Sequence, residues 1–515
     1  MMNSGNKYLI AFTTMLGTFM EIVDTSVANV ALPHMAGTYG AGTDEITWVI
    51  TSYLVANAVI LPLTGWIGNF FGRKRAYLAC LVIFTLASLG SGAAPTLPIL
   101  ILMRVVQGLA GGAMVPMSQA IMLETFPKEE HGKAMALFGV GVIFGPIIGP
   151  TLGGWITDNW NWPWIFYVNI PVGIVAIVLG YMLIEDPHYI KKPEGRVDYW
   201  SFAFVALGLG SLEVLLNRGE RYDWFESGFI RFWTVTAVIG LFLFVWRSFT
   251  AENPLVNLSI MKNKEYAAGT SLMFLTGFGL YGSFVMLPIF CQHLLGYTPT
   301  LAGLVISPGG FASLIAMVFV GTLVGRIDTR ILVFTGIIFN IVSLWLLTFS
   351  SLSSDFAFLM ASRLFQGFGL GFLFVPITVS AFTRIPPHLT GQATGLFNLL
   401  RNEGASVGIA LSATVLSQRS QFHHNNLVSN LTPFSGELSE ALGAAGHYFF
   451  GAGGLDPASS KLAGMGLVYR ELVRQSYLMA FVDVFHFLMI VFFLLIPFVF
   501  LLKGRAGKAA AQTPQ

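Results

Sequence analysis

Apolar residues run along this chain in stretches of about 20, separated by short segments rich in polar residues, glycine and proline. A helix needs about 20 apolar residues to cross a bilayer, so each stretch predicts a membrane-spanning helix. The pattern therefore predicts an all-α polytopic membrane protein with fourteen spans. They cover residues 8–32, 46–68, 76–94, 97–121, 132–156, 163–184, 199–216, 230–250, 267–290, 300–323, 331–350, 356–380, 391–416 and 477–502.

Composition supports this class and excludes several others. With 55% hydrophobic and 10% charged residues among 515, the chain is too apolar for a soluble protein. The net charge of +2 gives no nucleic-acid footprint, and the two cysteines, Cys80 and Cys291, have neither disulfide nor metal-site spacing. We expect no metal, no cofactor and no enzyme, because a phosphate-binding Gly-x-x-x-x-Gly-Lys-Ser/Thr loop is lacking. The first span is too long and too acidic for a cleaved signal peptide and is expected to remain.

The positions of the 28 Lys and Arg residues predict the orientation. Basic residues concentrate in cytoplasmic loops, and eighteen of these lie at one set of span ends. Both termini are therefore predicted to be cytoplasmic. The eighteen are Lys7, Arg73, Lys74, Arg75, Lys128, Lys133, Lys191, Lys192, Arg196, Arg247, Lys262, Lys264, Arg326, Arg330, Arg384, Lys503, Arg505 and Lys508.

An internal repeat divides the chain into two halves. The segment 104–108, Arg-Val-Val-Gln-Gly, recurs 259 positions later as Arg-Leu-Phe-Gln-Gly at 363–367, and Gly132, Gly145 and Gly149 have partners at the same offset. Parallel repeats of this kind build transporters with a central site between the halves. We expect a six-helix bundle at 8–184, a linker with two inserted spans at 185–266, a second bundle at 267–502 with an outer loop at 417–475, and a cytoplasmic tail at 503–515.

Two carboxyls inside the first span are the leading functional candidates. A charge at that depth costs roughly 2.5–3.5 kcal/mol on insertion scales, so an intramembrane carboxyl indicates function unless a structural partner neutralises it. Glu21 and Asp24 share one helical face, and two neighbouring carboxyls resist double ionisation, which makes proton binding a natural role. Arg104 lies at a similar depth in the fourth span. We expect Asp24 to carry the proton, Glu21 to titrate or recognise cations, and Arg104 to modulate both.

A glycine strip marks the fifth span. Gly141, Gly145, Gly149 and Gly153 recur every four residues and permit close approach of a facing backbone, while Pro146 and Pro150 predict a kink. We expect this strip, with Gly154, to form the seam between the bundles; plain close packing is the alternative.

The second half lacks the acidic pair. Ser283 stands 259 positions after Asp24, so Arg363 has no equivalent acid. We predict a second-half polar site of Arg363, Gln366, Arg401 and Glu403, in which a structural ion pair of Glu403 is favoured over a substrate site. Glu213, Asp483 and His486 are weaker candidates.

These motifs together resemble the major facilitator superfamily, and within it the fourteen-helix drug:proton antiporters of the EmrB type. The resemblance rests on the first-span run 24–33, the loop run 65–75 (Gly-Trp-Ile-Gly-Asn-Phe-Phe-Gly-Arg-Lys-Arg), the Arg104 motif and the fifth-span motif. The loop motif includes Gly65, Asn69, Gly72, Arg73 and Lys74. The family usually has an acid at the position of Asn69, so the basic residues act either in a charge latch or as topology determinants.

The resemblance implies proton-driven efflux of hydrophobic or amphipathic drugs across a bacterial inner membrane. It also implies a periplasmic adaptor and an outer-membrane channel as partners, with the 417–475 loop as the docking element or as a plain surface loop. Export of one metabolite, lipid or siderophore is the alternative function, and a non-transporting scaffold is the third.

Overall fold

The computed structural model describes residues 4–187, 198–251, 254–431, 436–451 and 456–502. Within these ranges the regular secondary structure is helical, apart from one isolated bridge between Val324 and Ile327, and short turns connect the helices. The all-α membrane fold is thereby confirmed. Six basic residues of the orientation argument (Lys191, Lys192, Arg196, Lys503, Arg505 and Lys508) and the tail 503–515 lie outside the described residues.

The helices fall into three groups along the chain. The first comprises α1 (Ser4–Tyr39), α2 (Thr43–Ile46), α3 (Trp48–Ile60), α4 (Thr64–Phe71), α5 (Arg73–Gly92), α6 (Leu97–Thr125), α7 (His131–Asn159), α8 (Trp164–Tyr167) and α9 (Asn169–Leu183). The second comprises α10 (Tyr199–Arg218) and α11 (Gly228–Thr250). The third comprises α12 (Lys264–His293), α13 (Pro299–Leu323), α14 (Thr329–Leu347), α15 (Phe356–Phe382), α16 (Thr390–Asn430), α17 (Gly436–Gly451) and α18 (Pro457–Val499).

Thirteen helical segments in the described part of the chain are long and apolar enough to cross a membrane. The fourteenth predicted span, 391–416, is not among these thirteen segments. It lies within α16, where Asn398, Arg401 and Glu403 make the sequence more polar than the other spans. The predicted span 46–68 is interrupted by a 3₁₀ turn at Leu61–Leu63, because Pro62 cannot donate a helical hydrogen bond.

Each half packs mainly within itself. Helices α1, α3, α5, α6, α7 and α9 contact one another, and so do α12 to α16 and α18. The two inserted helices pair with each other, and α10 also contacts α3 in the first half and α16 in the second. The inserted pair therefore reaches both halves.

The predicted outer loop 417–475 is helical over its described residues. Helix α16 continues to Asn430, α17 occupies Gly436–Gly451, and α18 begins at Pro457. The middle helix, α17, includes Ala441, Ala444 and Ala445, residues of high helix propensity. Asp456 caps α18 by accepting hydrogen bonds from the backbone of Ala458 and Ser459, and a side-chain hydrogen bond from Ser459 holds the pKa of the Asp456 carboxyl below its usual value.

Candidate functional site

Asp24 lies in the middle of α1, buried among donors from two other helices, α6 and α9. Its Oδ2 lies 2.5 Å from Nη1 of Arg104 on α6, and its Oδ1 accepts hydrogen bonds of 2.8 Å from Gln107 on α6 and 2.8 Å from Asn169 on α9. Ser88 on α5 accepts from both amides. The side chain is 2% exposed, so its charge is compensated almost entirely by protein groups.

Arg104 is fixed by contacts besides the carboxylate. Its Nε donates to the backbone carbonyl of Val49 at 3.2 Å, and Nη1 also donates to Gln107 at 2.8 Å. The guanidinium lies 4.2 Å from the ring centroid of Tyr53 and 5.5 Å from that of Phe166. Depth arithmetic on the sequence placed Asp24 and Arg104 at similar depth, and the structure brings them into contact.

Glu21 lies one turn before Asp24 but has separate partners. Its Oε1 accepts hydrogen bonds from Tyr53 at 3.1 Å and from Asn57 at 2.9 Å, both on α3. Arg104 is not among its hydrogen-bonding partners. Tyr53 connects the two carboxyls, because its ring faces Arg104 while its hydroxyl reaches Glu21.

Four members of this cluster were not predicted from the sequence: Ser88, Tyr53, Asn57 and Asn169. Each is a polar residue within an apolar helix, which is the only signal the sequence offers, and many such residues lie elsewhere. Gln107 had a stronger signal, because it recurs with Arg104 in the internal repeat.

The second half repeats the geometry without the acid. Arg363 Nη2 donates to the backbone carbonyl of Ser283 at 2.9 Å, its Nη1 contacts Gln366 Oε1, and Gln366 donates to the Ser283 hydroxyl at 2.6 Å. Ser283 thus takes the place that Asp24 has in the first half.

Arg401 and Glu403 do not join that cluster, so the predicted four-residue site is corrected to Arg363 and Gln366. Arg401 contacts Asn402, and the described part of the chain contains no ion pair of Glu403 with Arg363 or Arg401. Residues two apart point away from each other on a helix, which excludes pairing of Arg401 with Glu403.

The glycine strip of α7 faces α1, so the strip itself does not form the predicted seam, whereas another face of α7 packs against α13 of the second half. A Cβ added at Gly145 would lie 2.5 Å from Ile22, one at Gly149 2.4 Å from Ser26, and one at Gly153 2.9 Å from Val27. Gly141 faces Met15 with ordinary spacing, and Gly154 has open space around it. Pro146 and Pro150 both lie within the continuous helix α7. The strip therefore holds α7 against the segment that carries Asp24.

The loop motif forms an ion pair with a different acid than the family pattern suggests. Arg73 is 2% exposed, and its Nη1 lies 2.5 Å from Oε1 of Glu124 at the end of α6. Gly72 has φ +87°, and the backbone N–H of Lys74 donates to Asp186 at 2.8 Å. Arg73 is thus a buried structural cation, whereas Arg75 is exposed. Asn69 is half-buried.

The two halves meet closely at the end that carries Arg73, here called the basic end. A Cβ at Gly65 would lie 2.4 Å from the backbone of Gln392, and a Cβ at Gly132 would lie 2.7 Å from the carbonyl oxygen of Gly321. Asn398 donates to Gln119 across the same interface at 2.5 Å. Gly132 and the neighbouring Gly391 are equivalent in the repeat, so two symmetric crossings close this end.

The weaker candidates have partners that the sequence did not indicate. Asp483 accepts from Arg419 at 2.6 Å and lies 2.7 Å from the His423 ring, whereas His486 contacts the carbonyl of Val482. Asp483 and His486 therefore do not act together. Glu213 contacts Ser406 of the second half.

Comparison with known proteins agrees with this architecture. A family model described as "Major Facilitator Superfamily" matches residues 14–409. The chain is 35% identical over 422 residues to the multidrug export protein EmrB of Escherichia coli K12, covering 82% of each chain. It is 33% identical over 492 residues to the fatty acid resistance protein FarB of Neisseria gonorrhoeae, covering 95% of this chain and 94% of that one. The crystal structure of the human organic anion transporter MFSD10 matches with a TM-score of 0.61 and 14% identity, covering 94% and 99% of the two chains.

Proposed function

Because this chain belongs to the major facilitator superfamily, a family of membrane transporters, we propose that it exports hydrophobic and amphipathic small molecules in exchange for protons. Similarity to proteins named multidrug export proteins supports the substrate class. The buried contact of Asp24 with Arg104 supports the driving reaction, and this is the single observation that carries the proposal.

Asp24 has the surroundings that a proton carrier requires. Ionised, it is compensated by Arg104 and by two amide donors. Protonated, it loses its attraction to the guanidinium, and α1 is then free to adopt a second position relative to α6. Alternating access couples this change to movement of the two halves.

Glu21 is proposed as a second titrating or cation-recognising group. Its partners Tyr53 and Asn57 are neutral, so they orient the carboxyl without cancelling its charge. Arg401 of α16 lies within electrostatic range of Glu21, so a positively charged substrate would compete with a cation of the second half. Arg363 and Gln366, which lack an acid, are proposed to hold α15 against α12, with proton handling confined to the first half.

The remaining motifs are proposed to serve the conformational cycle. The glycine strip of α7 fixes the position of α1, and the loop motif with Glu124 stabilises closure at the basic end. That end is proposed to face the cytoplasm of a bacterial cell, with the chain in the inner membrane.

An adaptor and an outer-membrane channel are proposed to complete the export path. Helices α16 and α18 extend beyond the length that a bilayer requires, because α16 has 41 residues and α18 has 43, and the 16-residue helix α17 lies between them along the chain. We propose that this helical extension, not a flexible loop, docks the adaptor.

A dedicated exporter of a single lipid or metabolite is the second candidate. The 33% identity to a protein named fatty acid resistance protein over almost the whole chain favours a fatty-acid-like lipid within this alternative.

Proton release from inverted membrane vesicles tests the proposal. Hydrophobic drugs added to acidified vesicles should cause proton release with wild type, and Asp24→Asn should abolish it while the protein still folds. Asp158→Asn is the matched control, because Asp158 is an exposed carboxyl at the end of α7. Full drug-induced release by Asp24→Asn would contradict the assignment of the proton carrier. Release by fatty acids alone would establish the second candidate.

A further inference from the structure

Two carboxyls that the proposed function leaves unused lie on α10 and α16, the helices through which the inserted pair contacts the second half. Glu213 on α10 is 3% exposed and Glu403 on α16 is 5% exposed, and they lie within electrostatic range of each other. Helix α10, which carries Glu213, also contacts α3 of the first half, so it contacts both halves.

The hydrogen bonds of the two carboxyls are unequal. Glu213 accepts from the Ser406 hydroxyl at 2.9 Å and from the Asn217 amide at 2.7 Å. Ser406 lies three residues after Glu403 and therefore shares its helical face. Both oxygens of Glu403 are buried, and no residue that the structure describes donates to either of them.

No cation in the described structure forms an ion pair with either carboxyl. Arg401 is on another face of α16, where it contacts Asn402 and lies within electrostatic range of Glu21 of α1. The other charged or titratable groups near the middle of the surrounding helices contact different partners. On α3 and α6, Tyr53 contacts Glu21 and Arg104 contacts Asp24. On α12 and α18, Tyr281 faces Phe284, Asp483 contacts Arg419 and His423 of α16, and His486 contacts Val482. The remaining charged or titratable groups on these helices lie nearer the helix ends. Among them, Arg218 of α10 donates to the Asp44 carbonyl, and Glu124 of α6 pairs with Arg73. The others are Arg231 and Arg247 of α11, Lys264, Glu265, Tyr266, Cys291 and His293 of α12, and Lys461, Tyr469, Arg470, Glu471, Arg474 and Tyr477 of α18.

We propose that Glu213 and Glu403 form a second proton-binding site, a carboxyl pair that holds one proton between α10 and α16. Two ionised carboxylates buried away from water would repel each other strongly, whereas a protonated carboxyl donates a short hydrogen bond to a carboxylate. Glu403 carries the proton, because it lacks donors, and Glu213 accepts, because Ser406 and Asn217 stabilise its negative charge. The pair then has a net charge of −1 instead of −2.

This site gives the inserted helices a role in coupling, and it rests on the proposed proton-driven export. Loss of the shared proton converts an attraction between α10 and α16 into a repulsion. Because α10 also contacts α3, the protonation state of the pair controls how the inserted helices attach the second half to the first.

Infrared spectroscopy of the full-length protein in lipid, titrated with pH, tests the pair directly. Wild type should show the absorption band of a buried protonated carboxyl, and Glu403→Gln should lose that band. Glu213→Gln should shift its position, because the protonated Glu403 then has no carboxylate to donate to. Glu226→Gln, an exposed carboxyl at the outer end of the same inserted pair, should leave the spectrum unchanged. Identical spectra for wild type and Glu403→Gln at every pH, or an unshifted band in Glu213→Gln, would overturn the shared proton.

Drug-induced proton release separates this inference from the proposed function. Glu403→Gln and Glu213→Gln should release fewer protons per drug transported than wild type, whereas Asp24→Asn should release none. Unchanged stoichiometry in both Gln variants would overturn a coupling role for the pair. Absence of release in wild type would contradict the proposed function, while the infrared result would still decide whether the pair binds a proton.

Discussion

At the scale of single residues, the internal repeat supplies its own control for the buried charges. Arg104 and Arg363 occupy equivalent positions, and both are fully buried. Only Arg104 faces a carboxylate, since Ser283 stands where the first half has Asp24. The energetic consequences of removing the two arginines should therefore differ, although each arginine also contacts the glutamine three residues after it.

We expect Arg104→Leu to destabilise the protein by about 3–5 kcal/mol, because it leaves the buried Asp24 carboxylate without its cation. Arg363→Leu should cost less, since no carboxylate is left unpaired. The double variant Arg104→Leu with Asp24→Asn should recover part of the loss. Thermal unfolding of the purified variants measures this, and equal losses for Arg104→Leu and Arg363→Leu would contradict a charge-pairing role for Arg104.

At the scale of helices, hydropathy predicts where each span lies along the chain, but the sequence does not show which neighbour each face of a helix contacts. The bilayer requires long apolar helices, so hydropathy alone located the thirteen apolar spans. These helices are apolar on most faces, so the sequence could not tell which face meets which neighbour. Tyr53, Asn57 and Asn169 were missed for that reason, and the α7 strip was assigned to the wrong neighbour. Arg104 was found because its depth, unlike its facing direction, can be counted.

The contact of α7 with α1 can be tested by one methyl group. Gly149→Ala would place a Cβ 2.4 Å from Ser26, so α1 and α7 must move apart, and overpacking of this kind typically costs about 1–3 kcal/mol. We expect lower thermal stability and weaker drug efflux, because Asp24 lies two residues from Ser26. Adding Ser26→Gly should restore part of both.

Gly154→Ala is the matched control on the same helix. Open space surrounds Gly154, so its added methyl group should leave stability and efflux near wild-type values. If Gly149→Ala behaves like Gly154→Ala, the glycine strip has no role in positioning Asp24.

At the scale of the whole molecule, the repeat predicts that closure at the basic end depends equally on both halves. Gly132 of the first half meets Gly321, and its equivalent Gly391 of the second half meets Gly65. The backbones are close enough to exclude a Cβ at Gly132 and at Gly65, and a Cβ at Gly391 would lie 3.0 Å from the Arg73 guanidinium and 3.4 Å from the Gly65 backbone. Leucine at either position should therefore hold the halves apart at this end.

We expect Gly132→Leu and Gly391→Leu to abolish drug efflux to the same extent, because a transporter that cannot close one end cannot complete its cycle. Binding of substrate to the purified variants should persist, since both sites lie far along the helices from Asp24. Gly37→Leu, placed where α1 has open space, should transport normally. Efflux from cells and binding in detergent measure the two effects separately. Efflux retained by one of the two variants would mean that a single crossing suffices, and that the symmetry of the repeat does not extend to closure of the basic end.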